Sequence, residues 1–375
     1  MKGQWHGEYS GSEQGYLILN IDEIENQYYI RAYFIPKNTD TPLFTFYYIT
    51  NTNEPLQILN VKIDVVDKFN RLPTTWKKIK GLYPNISSPP ENAKVKILFE
   101  NDLLKLNLKS NRVKAKTNIE IDINFESSTK QELTESNIQS ETMSWKEFKN
   151  FVSDNSKYNY LYRGQKKPWP LTTSFHRRGR FEMLRFVSND VQQLHRRLSA
   201  MTTHYFNLNN SNENGSFFNL IQHHGYPTPL LDWTLSPYIA AYFAFKDWPK
   251  NHTGSENVRI YIFNIEEWTK NNQQIQHLDP AMLHLSLSEF IAIDNPRLIT
   301  QQSKTTITNI YDIEAYIRMA ESTKDGIWYL KAIDIPANER EFTINELRIM
   351  GITSGSMFPT LDGVCAELKE TNFDE

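Results

Sequence analysis

From residue 5 to residue 125, short segments of the chain alternate apolar and polar residues with a period of two. The alternation is clearest at residues 16–21, 28–34, 95–99 and 103–108. Because successive side chains of a strand point to opposite faces, these segments predict antiparallel strands with one buried face. We therefore predict an all-β sandwich or open barrel here, with a short helical or loop insertion at residues 75–82.

The pattern changes in the stretch that follows. Residues 128–141 are polar and show no periodicity, which is typical of a linker. Ser144 and Glu147 then form a capping-box signature, so a helix is expected to begin there. We predict two domains, in which a linker at 128–141 joins a β-rich accessory domain at 1–127 to a second domain at 142–375.

The second domain mixes helical and strand patterns, which predicts an α+β fold. Strands are expected to end at Gly164 and to cover residues 258–263, 298–307 and 327–335. Helices are expected over residues 181–205, 237–245 and 344–350, the last one stopped by Gly351.

Charge and composition exclude several classes of protein. The formal net charge of −3 gives the molecule no overall field that would attract nucleic acid or a membrane. The single cysteine, Cys365, rules out an intramolecular disulfide and a cysteine-rich zinc site. No apolar run approaches the roughly 20 residues that span a bilayer, and the N-terminus does not look like a signal peptide. We expect a cytoplasmic protein with no membrane partner.

The first candidate site residue is Arg163, which is placed at the end of a strand and followed by Gly164. An arginine in this position can aim a planar guanidinium with five donors into a cleft while the glycine lets the backbone turn. Such a group suits a phosphate or carboxylate ligand. The alternative is a surface arginine at an ordinary turn.

The second candidate is the segment 220–237, which is dense in turn formers and polar groups but flanked by apolar residues. Its polar groups need partners if the segment is buried. Ser236 followed by Pro237 predicts the N-cap and first position of a helix. The alanines at 240, 241 and 244 would let that helix lie close to the sheet. Asp232 and Thr234 either belong to a site or only tie the loop together.

His223 and His224 do not form a promising metal site. Adjacent side chains in a strand or loop point to opposite sides, and neither histidine has a cysteine or carboxylate at ligand spacing. We predict no metal. Each histidine is then either a catalytic base or a hydrogen-bonded histidine of the loop or core.

A basic stretch with interleaved aromatic residues follows Arg163. Its cations are Lys166, Lys167, Arg177, Arg178, Arg180, Arg185, Arg196 and Arg197. Trp169, Phe175 and Phe181 lie among them, which permits stacking on nucleic-acid bases. The stretch is a nucleic-acid surface, a site for a small phosphate-bearing ligand, or an ordinary solvated face.

These motifs resemble the FRG domain family over residues 144–368. The family's name motif appears as Tyr162-Arg163-Gly164, and its long motif corresponds to residues 222–234. Residues 351–363 resemble its C-terminal signature. The chain departs from the family pattern at Pro229 and at Gln302-Ser303.

A second resemblance is to mono-ADP-ribosyltransferases, and it implies a mixed sheet with flanking helices and NAD as the cofactor. It implies that Arg163 holds the phosphate or ribose of NAD and that Thr234 supports the nicotinamide pocket. At the position of the family's catalytic glutamate this chain has Pro296-Arg297. Arginine has the wrong charge for that role. Glu346 is taken as the catalytic carboxylate instead, with Glu314, Glu339 and Glu341 as alternatives.

The resemblances lead to two functional hypotheses. One is an NAD-dependent ADP-ribosyltransferase or NAD-cleaving effector in a toxin or phage-defence context, acting on a protein or nucleic-acid target. Its predicted catalytic residues are Arg163, Thr234 and Glu346. The residues expected to bind the cofactor are Tyr162, Arg163, Gly164, Gln165, His224, Asp232, Trp233, Ser236 and Gln302. The alternative is a non-catalytic module that binds a nucleotide or nucleic acid.

Overall fold

The computed structural model describes residues 1–373 except 52–53, 87, 101–102, 112–117, 127–133, 156–158, 250–251 and 279, and it leaves out the side chains of 111 and 118–126. The strands are β1 (Gly3–Gly11), β2 (Gly15–Ile24), β3 (Gln27–Pro36), β4 (Leu43–Thr50), β5 (Leu56–Val66), β6 (Pro73–Thr74), β7 (Asn92–Glu100), β8 (Leu103–Asn111), β9 (Asn118–Glu126), β10 (Ser140–Thr142), β11 (Tyr160–Gln165), β12 (Leu230–Thr234), β13 (Asn257–Asn264), β14 (Leu285–Ser288), β15 (Ser303–Thr308) and β16 (Leu330–Pro336).

The helices are α1 (Trp76–Ile79), α2 (Trp145–Asp154), α3 (Ser174–Arg177), α4 (Met183–Arg185), α5 (Val191–Leu198), α6 (Ser211–His223), α7 (Pro237–Phe245), α8 (Ile265–Asn271), α9 (Arg297–Thr300), α10 (Ile313–Ser322), α11 (Arg340–Ile349), α12 (Ser354–Met357) and α13 (Leu361–Asn372). Short 3-10 turns cover Lys80–Leu82 and Ala337–Glu339, and Phe186–Asp190 is a π-helical turn. None of the helices within the described residues is long and apolar enough to cross a bilayer.

The N-terminal strands form a nearly closed barrel. Among the described residues, nine strands pair antiparallel in the order β4-β3-β2-β1-β9-β8-β7-β5-β6, and β4 also pairs with β5. The contact between β1 and β9 is short, from Ser10 to Gly11 on β1. Of the two predicted arrangements, the barrel is the one adopted. The predicted insertion at 75–82 is confirmed as α1 and the 3-10 turn behind it.

The alternating residues of these strands fill the barrel. In β5 and β7 buried and exposed positions alternate along most of the strand, as expected when one face points inward. Val95, Ile97 and Leu104 are fully buried in the same cluster as Trp5 and Phe46. The barrel interior is therefore a hydrophobic core.

The C-terminal part contains a mixed sheet with helices around it, as the α+β prediction requires. Within the described residues its seven strands lie in the order β10-β16-β13-β11-β12-β15-β14. The pair β10–β16 is parallel, and the other pairs are antiparallel. The capping box at Ser144 and the helix end at Gly351, with a φ of +78°, are also confirmed.

The structure corrects three predicted boundaries. Residues 140–141 of the predicted linker belong to β10, which pairs with β16. The Ser140 hydroxyl also donates a hydrogen bond to the Asp334 carboxylate on β16. The first part of the linker lies outside the described residues. The strand expected at 298–307 is the short helix α9 followed by β15, since Gln302 turns the chain with a φ of +47°. The helix expected at 181–205 is broken into α4, the π-helical turn and α5.

Helix α7 packs directly on strand β11, as the alanines at 240, 241 and 244 predicted. The closest approach is at Gly164, where an added Cβ would lie 1.8 Å from the carbonyl oxygen of Ala240 and 3.0 Å from the backbone nitrogen of Ala244. No side chain larger than hydrogen fits between the two elements. The glycine after Arg163 is thus required by packing.

This contact gives a first prediction. We expect Gly164→Ala to lower the free energy of unfolding by about 3 kcal/mol, because the clash is with backbone that cannot move aside easily. Urea denaturation followed by circular dichroism measures the change. Gly81→Ala is the matched control, because nothing lies within 4 Å of an added Cβ there. Its effect should stay within about 1 kcal/mol. Equal effects of the two variants would contradict this account of Gly164.

Candidate functional site

A cleft of about 1120 Å³ opens beside strands β11 and β12. This volume is sufficient for a ligand of dinucleotide size. The two strands pair through Tyr162 and Thr234, and this pairing brings the two predicted motifs to the same place. The predicted site residues that line the cleft are Tyr162, Arg163, Gly164, Gln165, Asp232, Trp233 and Thr234.

Four other predicted site residues do not line the cleft. His224 is exposed at the end of α6, and Ser236 caps α7 by accepting a hydrogen bond from the backbone of Ile239. Gln302 is an exposed turn residue. The Glu346 carboxylate accepts hydrogen bonds from Trp145 and Lys149. Two chain neighbours of these residues do line the cleft: His223, which precedes His224, and Gln301, which precedes Gln302.

The alternative glutamates have structural contacts elsewhere. The Glu314 carboxylate is buried and accepts hydrogen bonds from the backbone of Leu171 at 2.9 Å and from the hydroxyl of Tyr261 at 3.2 Å. Glu339 accepts a hydrogen bond from the backbone of Trp145 at 2.8 Å. Glu341 is exposed on α11. None of the three lines the cleft described here.

Arg163 lines the cleft, and its guanidinium has no carboxylate partner among the described residues. Its Nη1 donates a hydrogen bond of 2.6 Å to the backbone carbonyl of Asp232, and its buried Nε has no partner in the part of the chain that the structure describes. Burial lowers the pKa of Arg163, and the nearby charge of Asp232 raises it. An arginine remains charged in proteins, so this group is a buried cation with an unsatisfied donor. Such a group is available for an anionic ligand.

The carboxylate of Asp232 is positioned by the other polar residues of the long motif. Thr228 donates a hydrogen bond to Gln222, and Gln222 donates one to Oδ2 of Asp232. The second oxygen, Oδ1, is buried and has no hydrogen-bond partner among the described residues. The motif therefore fixes one carboxylate oxygen of a residue that lines the cleft and leaves the other unsatisfied.

Two histidines of the cleft are held neutral. Burial lowers the pKa of His176 to about 3, and its Nδ1 lies 2.8 Å from the hydroxyl of Thr173. Burial also lowers the pKa of His223, and its Nδ1 accepts a hydrogen bond from the amide of Asn295. With Nδ1 an acceptor, the proton of neutral His223 is on Nε2.

Further cations and aromatic rings complete the walls. Arg177 lines the cleft and donates to the backbone carbonyl of Thr172, and burial lowers its pKa. Lys166 donates to the carbonyl of Asp247 at 2.7 Å. The indole of Trp169 is 47% exposed and can stack on a planar ligand. Phe181, Phe243, Tyr311 and Phe358 also line the cleft.

Sequence reasoning missed several of these residues. His176 and Tyr311 carry no motif, and Phe358 is separated from Arg163 by most of the domain. Lys2 is also far from Arg163 in the sequence, and it lines the cleft from the side of the barrel. No group of three or more His, Cys, Asp or Glu side chains that could hold a metal occurs in the part of the chain that the structure describes.

Comparison with known proteins identifies one region. Residues 158–253 match the model of the FRG domain. The matched segment begins at β11 and ends after α7, so it contains Arg163, Gln222 and Asp232. Residues 351–363 lie outside it. No curated protein and no solved structure matches the chain.

Proposed function

We propose that this FRG-domain protein binds NAD in the cleft and breaks the bond between nicotinamide and ribose. One observation carries the proposal. Asp232 and Arg163 line the same cleft, and among the described residues neither the buried Oδ1 of Asp232 nor the buried Nε of Arg163 has a hydrogen-bond partner. An unsatisfied carboxylate and an unsatisfied guanidinium in one cleft provide an electrostatic site for a cationic centre and a binding site for phosphate.

Arg163 and Arg177 would hold the diphosphate of NAD. A guanidinium binds phosphate oxygens through paired N–H groups, and burial strengthens this contact because water does not screen it. The buried Nε of Arg163 has no hydrogen-bond partner among the described residues, and Arg177 lies close enough to affect the pKa of Arg163. The Trp169 ring supplies an exposed face for a base.

In the proposed reaction, the bond between C1′ of the ribose and the nicotinamide nitrogen breaks, and its electron pair leaves with nicotinamide. Positive charge develops on the ribose, and the Asp232 carboxylate stabilises it. Water then attacks C1′ and releases a proton, so the products are nicotinamide, ADP-ribose and H⁺. In the transferase version, a nucleophile of a protein or nucleic-acid target attacks C1′ in place of water.

The order of the elements supports this assignment. Strand β11 carries the arginine and glycine, β12 pairs beside it, and α7 follows with its alanines against β11. This order resembles that of mono-ADP-ribosyltransferases, in which a strand with an arginine-glycine pair is followed by a second strand and then by an alanine-rich helix. Thr234 fits a supporting role, because its hydroxyl donates to the carbonyl of Gln301 at 2.8 Å and accepts from the backbone of Ser236 at 3.1 Å.

The test is to incubate the purified full chain with NAD and to quantify free nicotinamide by chromatography. A parallel reaction contains cell lysate and labelled NAD, so that transfer to a target is also detected. We expect nicotinamide release by the wild type and a loss of at least about 100-fold in Arg163→Ala. If wild type releases no nicotinamide in either reaction, the catalytic proposal is wrong.

A non-catalytic nucleotide-binding module is the second candidate. It is favoured by the fact that, among the described residues, the cleft lining includes Asp232 and Asp247 but no glutamate. In this case calorimetry would show binding of NAD without release of nicotinamide. Nucleic acid is a weaker ligand class for this site, because Arg180 and Arg185 of the basic stretch are already paired with Asp190.

The two candidates differ in a cell. An NAD-cleaving effector of the toxin or phage-defence kind lowers cellular NAD when it is active, whereas a binding module does not. We expect induced expression of wild type to reduce NAD and growth, and Arg163→Ala to restore both. Normal NAD levels in cells that contain folded wild-type protein would favour the binding module.

A further inference from the structure

Barrel residues reach the wall of the cleft at strand β1. Gln4 is fully buried, and its side-chain amide donates to the backbone carbonyl of Asn309 at 2.7 Å and to the side chain of Asn20 at 3.1 Å. Its carbonyl oxygen accepts from the backbone of Tyr311 at 3.0 Å. Tyr311 lines the cleft. The Gln4 side chain therefore forms hydrogen bonds with both ends of the segment 309–311, which contributes Tyr311 to the cleft.

Strand β2 fixes a second wall of the cleft through Asp22. This carboxylate is fully buried and accepts hydrogen bonds from the Nε of Arg180 at 2.7 Å and from the backbone of Glu182 at 3.0 Å. It also accepts one from the backbone of Phe181. Phe181 and Gly179 line the cleft. The position of this wall therefore depends on a carboxylate of the barrel.

A buried ion pair adds to the same contact. Nε of Arg31 on β3 lies 3.2 Å from the Glu182 carboxylate, which is itself fully buried. The Arg185 guanidinium lies 4.3 Å from the ring centre of Tyr29, also on β3. Separating such a pair would leave each charge buried without its partner, so the wall and the barrel are expected to move together.

Lys2, the residue directly before strand β1, lines the cleft. Its side chain lies over Gly179, where an added Cβ would be 2.6 Å from the Lys2 ammonium nitrogen. Gly179 has a φ of +67° and lines the cleft together with Lys2. Among the described residues no carboxylate is within ion-pair distance of this ammonium group.

We propose that the ligand site is composite, and that Lys2 of the barrel adds a cation that binds a phosphate of a diphosphate-bearing nucleotide. This inference rests on the proposed function, because it assumes that a nucleotide occupies the cleft. It adds to that function a ligand-binding role for the barrel and a preference for nucleotides that carry two phosphates. Ligands with two phosphates gain from Arg163, Arg177 and Lys2 together, whereas a nucleoside gains from none of these charges.

The experiment measures dissociation constants of ADP-ribose, AMP and adenosine by calorimetry, using the full-length wild type and Lys2→Ala. We expect the variant to bind ADP-ribose about tenfold more weakly and to bind adenosine as wild type does. The affinity of the variant for ADP-ribose should also fall less with added salt, because one charge contact is gone. Lys2→Glu should weaken ADP-ribose binding further.

Lys62→Ala is the matched control, because it removes the same charge from the outside of the barrel, where Lys62 pairs with Asp64 at 3.2 Å. It should bind all three ligands as wild type does. If Lys2→Ala and wild type bind ADP-ribose with equal affinity and equal salt dependence, Lys2 has no such role, while the proposed function stands. If wild type binds none of the ligands, the proposed function itself fails, and Arg163→Ala provides the baseline for that result.

Discussion

Replacing Asp232 by asparagine is expected to lower the rate of NAD cleavage about 100- to 1,000-fold, the usual effect of removing one stabilising group. Asparagine has nearly the same shape, and its carbonyl oxygen can still accept the hydrogen bond from Gln222. It lacks the negative charge that the proposed reaction needs at Oδ1. NAD binding should therefore change little while kcat falls. Single-turnover kinetics and calorimetry measure the two quantities separately.

Glu346→Gln is the control for this experiment. Sequence reasoning made Glu346 the catalytic carboxylate, but the structure places it beside Trp145 and Lys149, outside the cleft. The Glu346 carboxylate forms an ion pair with the Lys149 ammonium group, and this contact lowers the pKa of Glu346. We expect normal turnover. An inactive Glu346→Gln together with an active Asp232→Asn would overturn the assignment.

Lowering the pH from 8 to 5 is expected to reduce the free energy of unfolding by about 4 kcal/mol through two buried histidines. Burial lowers the pKa of His176 and of His284 to about 3 in each case. Both side chains are almost fully buried. In the unfolded chain they take up a proton near their ordinary pKa of 6.5.

The direction follows from proton binding. Below about pH 6.5 the unfolded state binds protons that the folded state excludes, so acid favours unfolding. The stabilisation is complete above that pH and is lost progressively down to about pH 3. At pH 5 each histidine accounts for about 2 kcal/mol. Burial raises the pKa of Glu182, and this group acts in the opposite direction.

Urea denaturation of wild type and His284→Gln at pH 8 and pH 5 isolates one histidine. Both proteins contain Glu182 and the other titrating groups, so the difference between their pH dependences belongs to His284. We expect the variant to lose about 2 kcal/mol less on acidification. His224→Gln, a change at an exposed histidine, should behave as wild type. An unchanged pH dependence in His284→Gln would show that the side chain is not held neutral.

Local patterns predicted much of the secondary structure. Ser236 and Pro237 predicted a helix over residues 237–245, and α7 begins at Pro237 and ends at Phe245. The capping box and Gly351 predicted the ends of two further helices. Predictions failed where the backbone turns for a reason outside the local pattern. Gln302, which separates α9 from β15, has a left-handed conformation that nothing in its neighbours indicated.

Part of the candidate site was also accessible from sequence, because Arg163 and Asp232 lie in recognisable motifs on adjacent strands. The role of the long motif was not accessible. Only the structure shows that Gln222 connects Thr228 to Asp232. It also shows that Asp232 is among the residues that line the cleft and that Glu346 is not.

Strand and helix patterns follow from interactions between residues a few positions apart. The sequence was therefore enough to predict the strands of the barrel, the helix that begins after Ser236 and the two motifs that contain Arg163 and Asp232. The cleft depends on contacts between distant positions, such as the hydrogen bonds of Gln4 with Asn309 and of Asp22 with Arg180. Which side chains meet there is decided by how the barrel packs on the mixed sheet. For that physical reason only the tertiary structure shows that Lys2 and His176 line the cleft.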